Sequence, residues 1–252
     1  MPRAPRIKSK TGIYHIVMRG INHQTLFEDE EDRDRFIQTL QRYREICEYK
    51  LYAYCLMDNH LHLLLMEGKE PLETVMRRIG GSYVLRYNRK YGRVGHLFQD
   101  RFKSEPVEDD VYFLTVLRYI FQNPVKAGIV SKIEYYLWTN YIDYIERSNR
   151  TDTNFTLDIF DTDRDKAVRM FIEYINKEND DKCLEIKEGR PVTDGDARKI
   201  IKDLCKVDHT IDLQKFDLHK RNSYLKALKE YGLSIRQIER LTGISRGIIQ
   251  RV

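Results

Sequence analysis

Apolar residues recur along this chain with two periods, and the alternation between them predicts the elements. Ile13 to Met18 is a short run rich in β-branched residues that ends at Arg19-Gly20 and reads as a strand. After Asn22, Phe36, Ile37, Leu40, Tyr43 and Ile46 return at intervals of three and four, with acids from Glu28 to Glu31 at the head where they suit a helix dipole. Leu51 to Met57 is a second strand, Asp58-Asn59 a turn, and His60 to Met66 a third strand, spaced as a tight hairpin. Pro71 opens a helix to about Tyr91, carrying Leu72, Val75, Met76, Ile79, Tyr83 and Leu85 or Tyr87 inward; Gly80-Gly81 weakens it and Gly92 and Gly95 end it. A strand is expected near Glu105 to Val107. Glu108-Asp109-Asp110 then caps a helix with the stripe Phe113, Leu114, Leu117, Ile120 and Phe121, which Pro124 stops.

Strand, helix, strand, strand, helix, strand, helix predicts an α+β fold. It is a ferredoxin-like or RNA-recognition-motif-like antiparallel sheet covered by helices, over residues 1–147. Arg147 to Asp163 is mostly polar and reads as a linker, so 148–195 is expected to be linker and accessory helix. Val168 to Ile175, Ala197 to Cys205 and Leu213 to Tyr231 are helical in pattern, and 196–252 is expected to be an all-helical domain.

Composition narrows the class. With 252 residues, 41% hydrophobic and 33% charged, the chain has material for a core, and wholesale disorder is excluded. No run approaches the roughly 18 apolar residues of a membrane span. The basic start Met1-Pro2-Arg3-Ala4-Pro5-Arg6 is not followed by an apolar stretch, so no secretory signal is expected. Cys47, Cys55, Cys183 and Cys205 are scattered without a Cys-x-x-Cys pair. That disfavours a disulfide framework or zinc ribbon and fits reduced thiols in a cytoplasm. The net charge of +5 conceals two islands. Arg77 to Lys103 has eight Lys/Arg against Asp100 (+7), and Leu218 to Val252 has eight against Glu230 and Glu239 (+6). Between them, Thr151 to Ile200 has nine basic and thirteen acidic residues (−4). Polyanion-binding surfaces would produce this pattern, and so would solvated helix faces.

Four features bear on chemistry. In His60-Leu61-His62, residues two apart on a strand share a face, so the imidazoles project side by side about 7 Å apart while Leu61, Leu63 and Leu65 fill the other face. Two such nitrogens can share a metal ion, although an isolated His-x-His pair is also often incidental. Tyr119 lies outside its helix's apolar stripe, and Asn123 is one turn further on the same face. The plain alternatives are an amphipathic tyrosine at a core edge and a helix C-cap. Arg77, Arg78, Arg86, Arg89, Lys90, Arg93, Arg101 and Lys103 are interleaved with Tyr83, Tyr87, Tyr91, Phe98 and Phe102. Cations hold phosphates and aromatic faces stack unpaired bases. Finally, Leu233 to Ser245 reads as helix and Gly turn, with Ser234 and Ser245 as N-caps. A following helix at Arg246 to Arg251 would complete a helix-turn-helix, or a plain helical hairpin.

Four segments occur in order: Tyr14-His15-Ile16-Val17-Met18-Arg19-Gly20, Met57-Asp58-Asn59-His60-Leu61-His62-Leu63-Leu64, Gly95 to Lys103, and Arg118-Tyr119-Ile120-Phe121-Gln122-Asn123-Pro124 with Val125 to Val130. Over about residues 1–145 the chain resembles the REP-associated tyrosine transposases, a branch of the HUH single-strand DNA transposases. The resemblance implies that His60 and His62 bind a divalent metal, that Asn123 completes its coordination, and that Tyr119 is the nucleophile. It implies Mg²⁺ or Mn²⁺ as cofactor, and cleavage and strand transfer of single-stranded DNA beside a foldback hairpin through a 5′-phosphotyrosine. It also makes Arg19 and the eight basic residues above, with a basic arm of Arg3, Arg6, Lys8 and Lys10, candidates for holding DNA. From about Ala197 the chain resembles the helical DNA-binding domain of the bacterial replication initiator, which implies a duplex reader or hairpin anchor using Arg246 or Gln250. Relatives include monomers and dimers with shared sites, so a homodimer stays open. A non-catalytic hairpin-binding regulator and a nuclease or replication-initiation protein are the competing readings.

Overall fold

The computed structural model describes residues 6–146, 148, 150–184 and 193–252, and the chain divides into two compact units, 1–186 and 187–252. Strand β1 (Ile13–Arg19) is buried along its whole length. It leads through α1 (Glu30–Cys47) to β2 (Lys50–Leu56) and the hairpin partner β3 (His60–Met66). Helix α2 (Leu72–Lys90), β4 (Lys103–Pro106) and α3 (Asp110–Lys126) follow. Asp29 and Asp109 start α1 and α3 by accepting from the Asp32 and Tyr112 amides.

The sheet order is β2-β3-β1-β4, every pair antiparallel. β1 and β2 leave a slot that β3 fills, the split β-α-β arrangement expected from the element order. Period two then sorts the strands by face. Tyr14, Ile16, Met18, Leu61, Leu63 and Leu65 pack against α1 and α2, whereas Ile13, Ala53, Cys55 and Leu64 pack on the α3 side. Helix α2 runs unbroken through Gly80-Gly81, and Tyr87 faces inward while Leu85 is 65% exposed. Gly20 is required where β1 turns away, because a Cβ there would lie 2.2 Å from the Gln24 carbonyl oxygen.

Three expectations need correction. Residues 148–195 are not chiefly a linker. Helices α4 (Tyr141–Glu146), α5 (Thr153–Phe160) and α6 (Arg164–Asn176) complete the first unit. Leu157, Ala167, Phe171 and Ile175 fill its α3-side core, and the Asp152 carboxylate accepts from the Leu51 amide at the free edge of β2. Few apolar residues sufficed because these four are buried almost completely; residues 149 and 185–192 of that stretch lie outside those described. Pro124 does not stop α3, which continues to Lys126: proline's fixed φ is helical, and in the last turn it forfeits one amide hydrogen bond without breaking the spiral.

The third correction concerns Leu213 to Tyr231, which is not one helix. A 3-10 turn (Thr210–Lys215) precedes α8 (Leu218–Glu230), because Asp217 caps α8 by accepting from the Lys220 amide. With α7 (Asp194–Cys205), α9 (Ile235–Thr242) and α10 (Arg246–Arg251) these elements bury Ile201, Leu213, Leu225, Ile238 and Ile249 in the second unit's own core. Gly243, at φ 72°, makes the left-handed turn between α9 and α10. Among the described residues no helix is long and apolar enough to cross a membrane.

Candidate active site

The α3-facing side of the sheet is apolar except at one end, where β1 and β3 place three imidazoles. Val17 pairs with His62 and Arg19 with His60 in the β1–β3 register, and His15 points to the same side as Val17. His15 and His62 are buried, and His60 is half-buried. Neighbouring ring centroids are 5.2 Å apart for His60 and His62 and 5.3 Å for His62 and His15. Helix α3 covers this end. The Tyr119 ring lies edge-on, 5.6 Å from His62 and 5.9 Å from His15. Asn123, one turn on, places its Nδ2 3.4 Å from His62 Nε2. The face-sharing expected for Tyr119 and Asn123 is therefore present. Tyr119, expected at the edge of the core, is instead 5% exposed and part of it, because α3 lies flat on the sheet with this face down. Lys126 holds its ammonium 5.9 Å from the Tyr119 ring centre.

Behind His62 the polar groups form a file. His15 Nε2 is 3.0 Å from His62 Nδ1, and His15 Nδ1 is 2.8 Å from Glu105 Oε1 on β4. The same Glu105 oxygen accepts from the Leu184 amide at 2.9 Å. Burial, then the neighbouring His15 and His60, hold His62 well below the ordinary imidazole range, so it is neutral near pH 7, the form that offers a lone pair. Burial by itself would raise the Glu105 carboxyl, but hydrogen bonds from His15 and the Leu184 amide hold it below its ordinary value. His15 and Glu105 were not singled out from sequence. The available signal was one imidazole among the apolar residues of β1, since a buried polar side chain needs partners.

These donors suit a divalent ion of modest demand. Among the described residues no three His, Cys, Asp or Glu side chains gather as a ready-made cage. Two imidazoles and a carboxamide leave coordination positions for water and phosphate oxygen, as Mg²⁺ and Mn²⁺ accept.

The family model described as "Transposase IS200 like" matches residues 8–123. Residues 8–123 are thus similar to the IS200-like transposases. Among solved structures, a REP-associated tyrosine transposase bound to a REP hairpin is similar over 61% of this chain and 96% of that one, with a TM-score of 0.50 and 17% identity. At that identity the likeness speaks for the fold. Comparison with curated proteins finds no match.

The structure separates the first unit's basic residues into two sets. Arg78 forks onto Glu70 ahead of α2, and Arg86 pairs with Glu31 and Lys90 sits among Asp29, Glu31 and Asp32 at the start of α1, so nearby acids offset much of that charge. Arg93 donates to Gln24, and Arg89 is exposed beside them. Arg77 and Arg101 instead border a groove of about 760 Å³ floored by Met18, Met76, Phe98 and Phe102. Arg6 lies over the Phe102 ring at 3.7 Å, while Arg3 falls outside the described residues. This groove reaches the site's end of the sheet: the Arg19 carbonyl accepts from the Gln99 amide, and Arg19 is His60's register partner. Arg19 is buried with its guanidinium against His23, and Lys103 is exposed on β4. In the second unit Ser234 caps α9, whereas Ser245 holds the N-cap position of α10 without a side-chain bond. Arg246 pairs with Glu239 across the Gly243 turn, and Gln250 is exposed.

Proposed function

We propose that the transposase domain cleaves and rejoins single-stranded DNA beside a hairpin, with Tyr119 as nucleophile. The observation that carries this reading is the Tyr119 ring 5.6 Å from the neutral His62, with Asn123 on the same face of α3. His60, His62 and Asn123 would hold Mg²⁺ or Mn²⁺. When bound, the ion polarises the scissile phosphate and offsets its charge. The rest falls to the chain. The Tyr119 oxygen forms a bond to phosphorus as its proton leaves, and the bond from phosphorus to the 3′ oxygen breaks. The 3′ oxygen takes up a proton, leaving a 5′-phosphotyrosine and a 3′ hydroxyl. A second 3′ hydroxyl reverses the step and joins strands without ATP, because the ester bond has been retained. A free phenol has a pKa of about 10, and the Lys126 ammonium beside the ring favours the charge that develops there.

Specificity for single strands follows from the groove. Met18, Met76, Phe98 and Phe102 offer surfaces for unstacked bases, and Arg77 and Arg101 offer cations for the backbone, with Arg6 beside them paired to Glu73. Arg78, Arg86 and Lys90 contribute less, since a phosphate would have to displace their carboxylates. The second unit is assigned to duplex or hairpin DNA, with α10 presenting Gln250, and Arg246 once it is released from Glu239.

A labelled single-stranded hairpin incubated with protein and Mn²⁺ and run on a denaturing gel tests the reading. A covalent band present in wild type, absent in Tyr119→Phe, with cleavage but not binding lost in His60→Ala, is the expected outcome. Absence of any adduct with REP-like hairpins supports the second reading, a hairpin-binding regulator, in whose favour stands the 5% exposure of Tyr119.

A further inference from the structure

Behind His62, the file Glu105–His15–His62 has a direction. A carboxylate accepts and cannot donate, so both protons that converge on Glu105 Oε1 come from its neighbours: the Leu184 amide at 2.9 Å and His15 Nδ1–H at 2.8 Å. A neutral His15 then has only a lone pair at Nε2, and its 3.0 Å contact with His62 Nδ1 requires the proton to sit on His62. His62 Nε2 is left with its lone pair, on the side where Asn123 and Tyr119 lie. A metal-ligating imidazole is commonly oriented in this way, with its other ring N–H anchored by a partner behind it.

Leu184 belongs to Lys177–Leu184, C-terminal to the matched region 8–123. This segment is fastened along α3. Arg118 forks onto Asp181 at 2.7 and 3.0 Å, Gln122 donates to the Ile175 and Lys177 carbonyls, and Lys126 donates to Asn179. One stretch of chain thus ties down the helix that carries Tyr119 and also supplies a donor to Glu105.

We propose that His15 and Glu105 are positioning residues that hold His62 as its Nδ1–H tautomer with Nε2 facing Asn123 and Tyr119. We further propose that the segment ending at Leu184 is a working part of this device, added to the transposase domain from beyond it. The inference rests on reading His62 as a metal ligand, but its first test needs no metal. In metal-free full-length protein, two-bond ¹H–¹⁵N spectra of the histidine rings report the tautomer directly. Wild-type His62 is expected as Nδ1–H. Glu105→Leu and His15→Leu should move it toward Nε2–H, and Glu105→Gln, which keeps an acceptor, should preserve Nδ1–H.

Mn²⁺ titrations followed by electron paramagnetic resonance should show about 10- to 100-fold weaker binding in both leucine variants. Leu184→Pro, which removes the amide proton, should lose on the order of a few-fold. Wild-type His62 found as Nε2–H overturns the proposal. So does a Glu105→Leu protein with an unchanged tautomer and Mn²⁺ affinity within twofold of wild type. Glu105 lies on the edge strand at 24% side-chain exposure, so its variants decide the matter even if His15→Leu fails to fold. Wild-type protein that binds no Mn²⁺ defeats the metal reading of the site, while the tautomer still decides this one.

Discussion

Strand β3 presents two faces one residue apart, and they do opposite work. Leu61, Leu63 and Leu65 are fully buried against α1 and α2. That face is held by apolar area and close packing, and any side chain of similar shape would serve. His60 and His62 alternate with them and face α3. There each imidazole has a named partner, Asn59 for His60 and His15 for His62. The leucine face stabilises the fold without chemistry. The histidine face burdens it with buried polar groups that are tolerable because they are hydrogen-bonded. One strand thereby fixes a histidine pair on a support that cannot shift its register without exposing three leucines.

The sharpest break of this symmetry is Tyr119→Phe. It should abolish the covalent DNA adduct while costing no more than about 1.5 kcal/mol of stability, since it removes one hydroxyl; gel assay and denaturant titration check both halves. On the opposite face, Leu63→Ala should cost about 2–5 kcal/mol by opening a cavity, yet the fraction still folded should cleave normally. Cleavage lost in proportion to the active site, and not to the folded fraction, would contradict the division. A smaller effect is set by pH. Glu105 is held below its ordinary 4.5, so its contribution to stability is complete above that value and fades as pH falls through the lowered pKa. Unfolding midpoints measured between roughly pH 5 and pH 3 should therefore be flatter in Glu105→Gln. The smallest effect belongs to Lys90→Ala, on the α1-facing side of α2. Its ammonium is committed to acids, so single-strand affinity should stay within about twofold, whereas Arg77→Ala or Arg101→Ala at the groove should weaken it and reduce the salt dependence.

Much of the domain was legible because its signals are local. The alternation in His60 to Met66, the apolar run of β1, the Asp58-Asn59 turn and the acids ahead of α1 and α3 are short-range patterns, and the strands and helices lie where these place them. The same local reading misjudged Pro124, whose neighbours in the last turn of α3 tolerate it, and Arg147 to Asp163, whose sparse apolar residues looked like a linker. The usefulness of Leu157, Phe171 and Asp152 lies in contacts with β2 and α3 far away in sequence.

By itself, the sequence determined which residues could carry chemistry: a His-x-His pair on one strand face, a tyrosine and an asparagine one helical turn apart, and clusters of cations among aromatic rings. Periodicity is a property of neighbours in the chain, so no folding was needed to read it. The tertiary structure alone decided which of these meet. It set Tyr119 against His62 rather than at the core's rim, and it turned Arg78, Arg86 and Lys90 toward carboxylates while leaving Arg77 and Arg101 on the groove. It also joined Glu105, His15 and Leu184 behind the face that carries His60 and His62. Charge pairing and hydrogen bonding depend on distances of about 3 Å between residues up to a hundred positions apart, and that information arises only when the chain closes on itself.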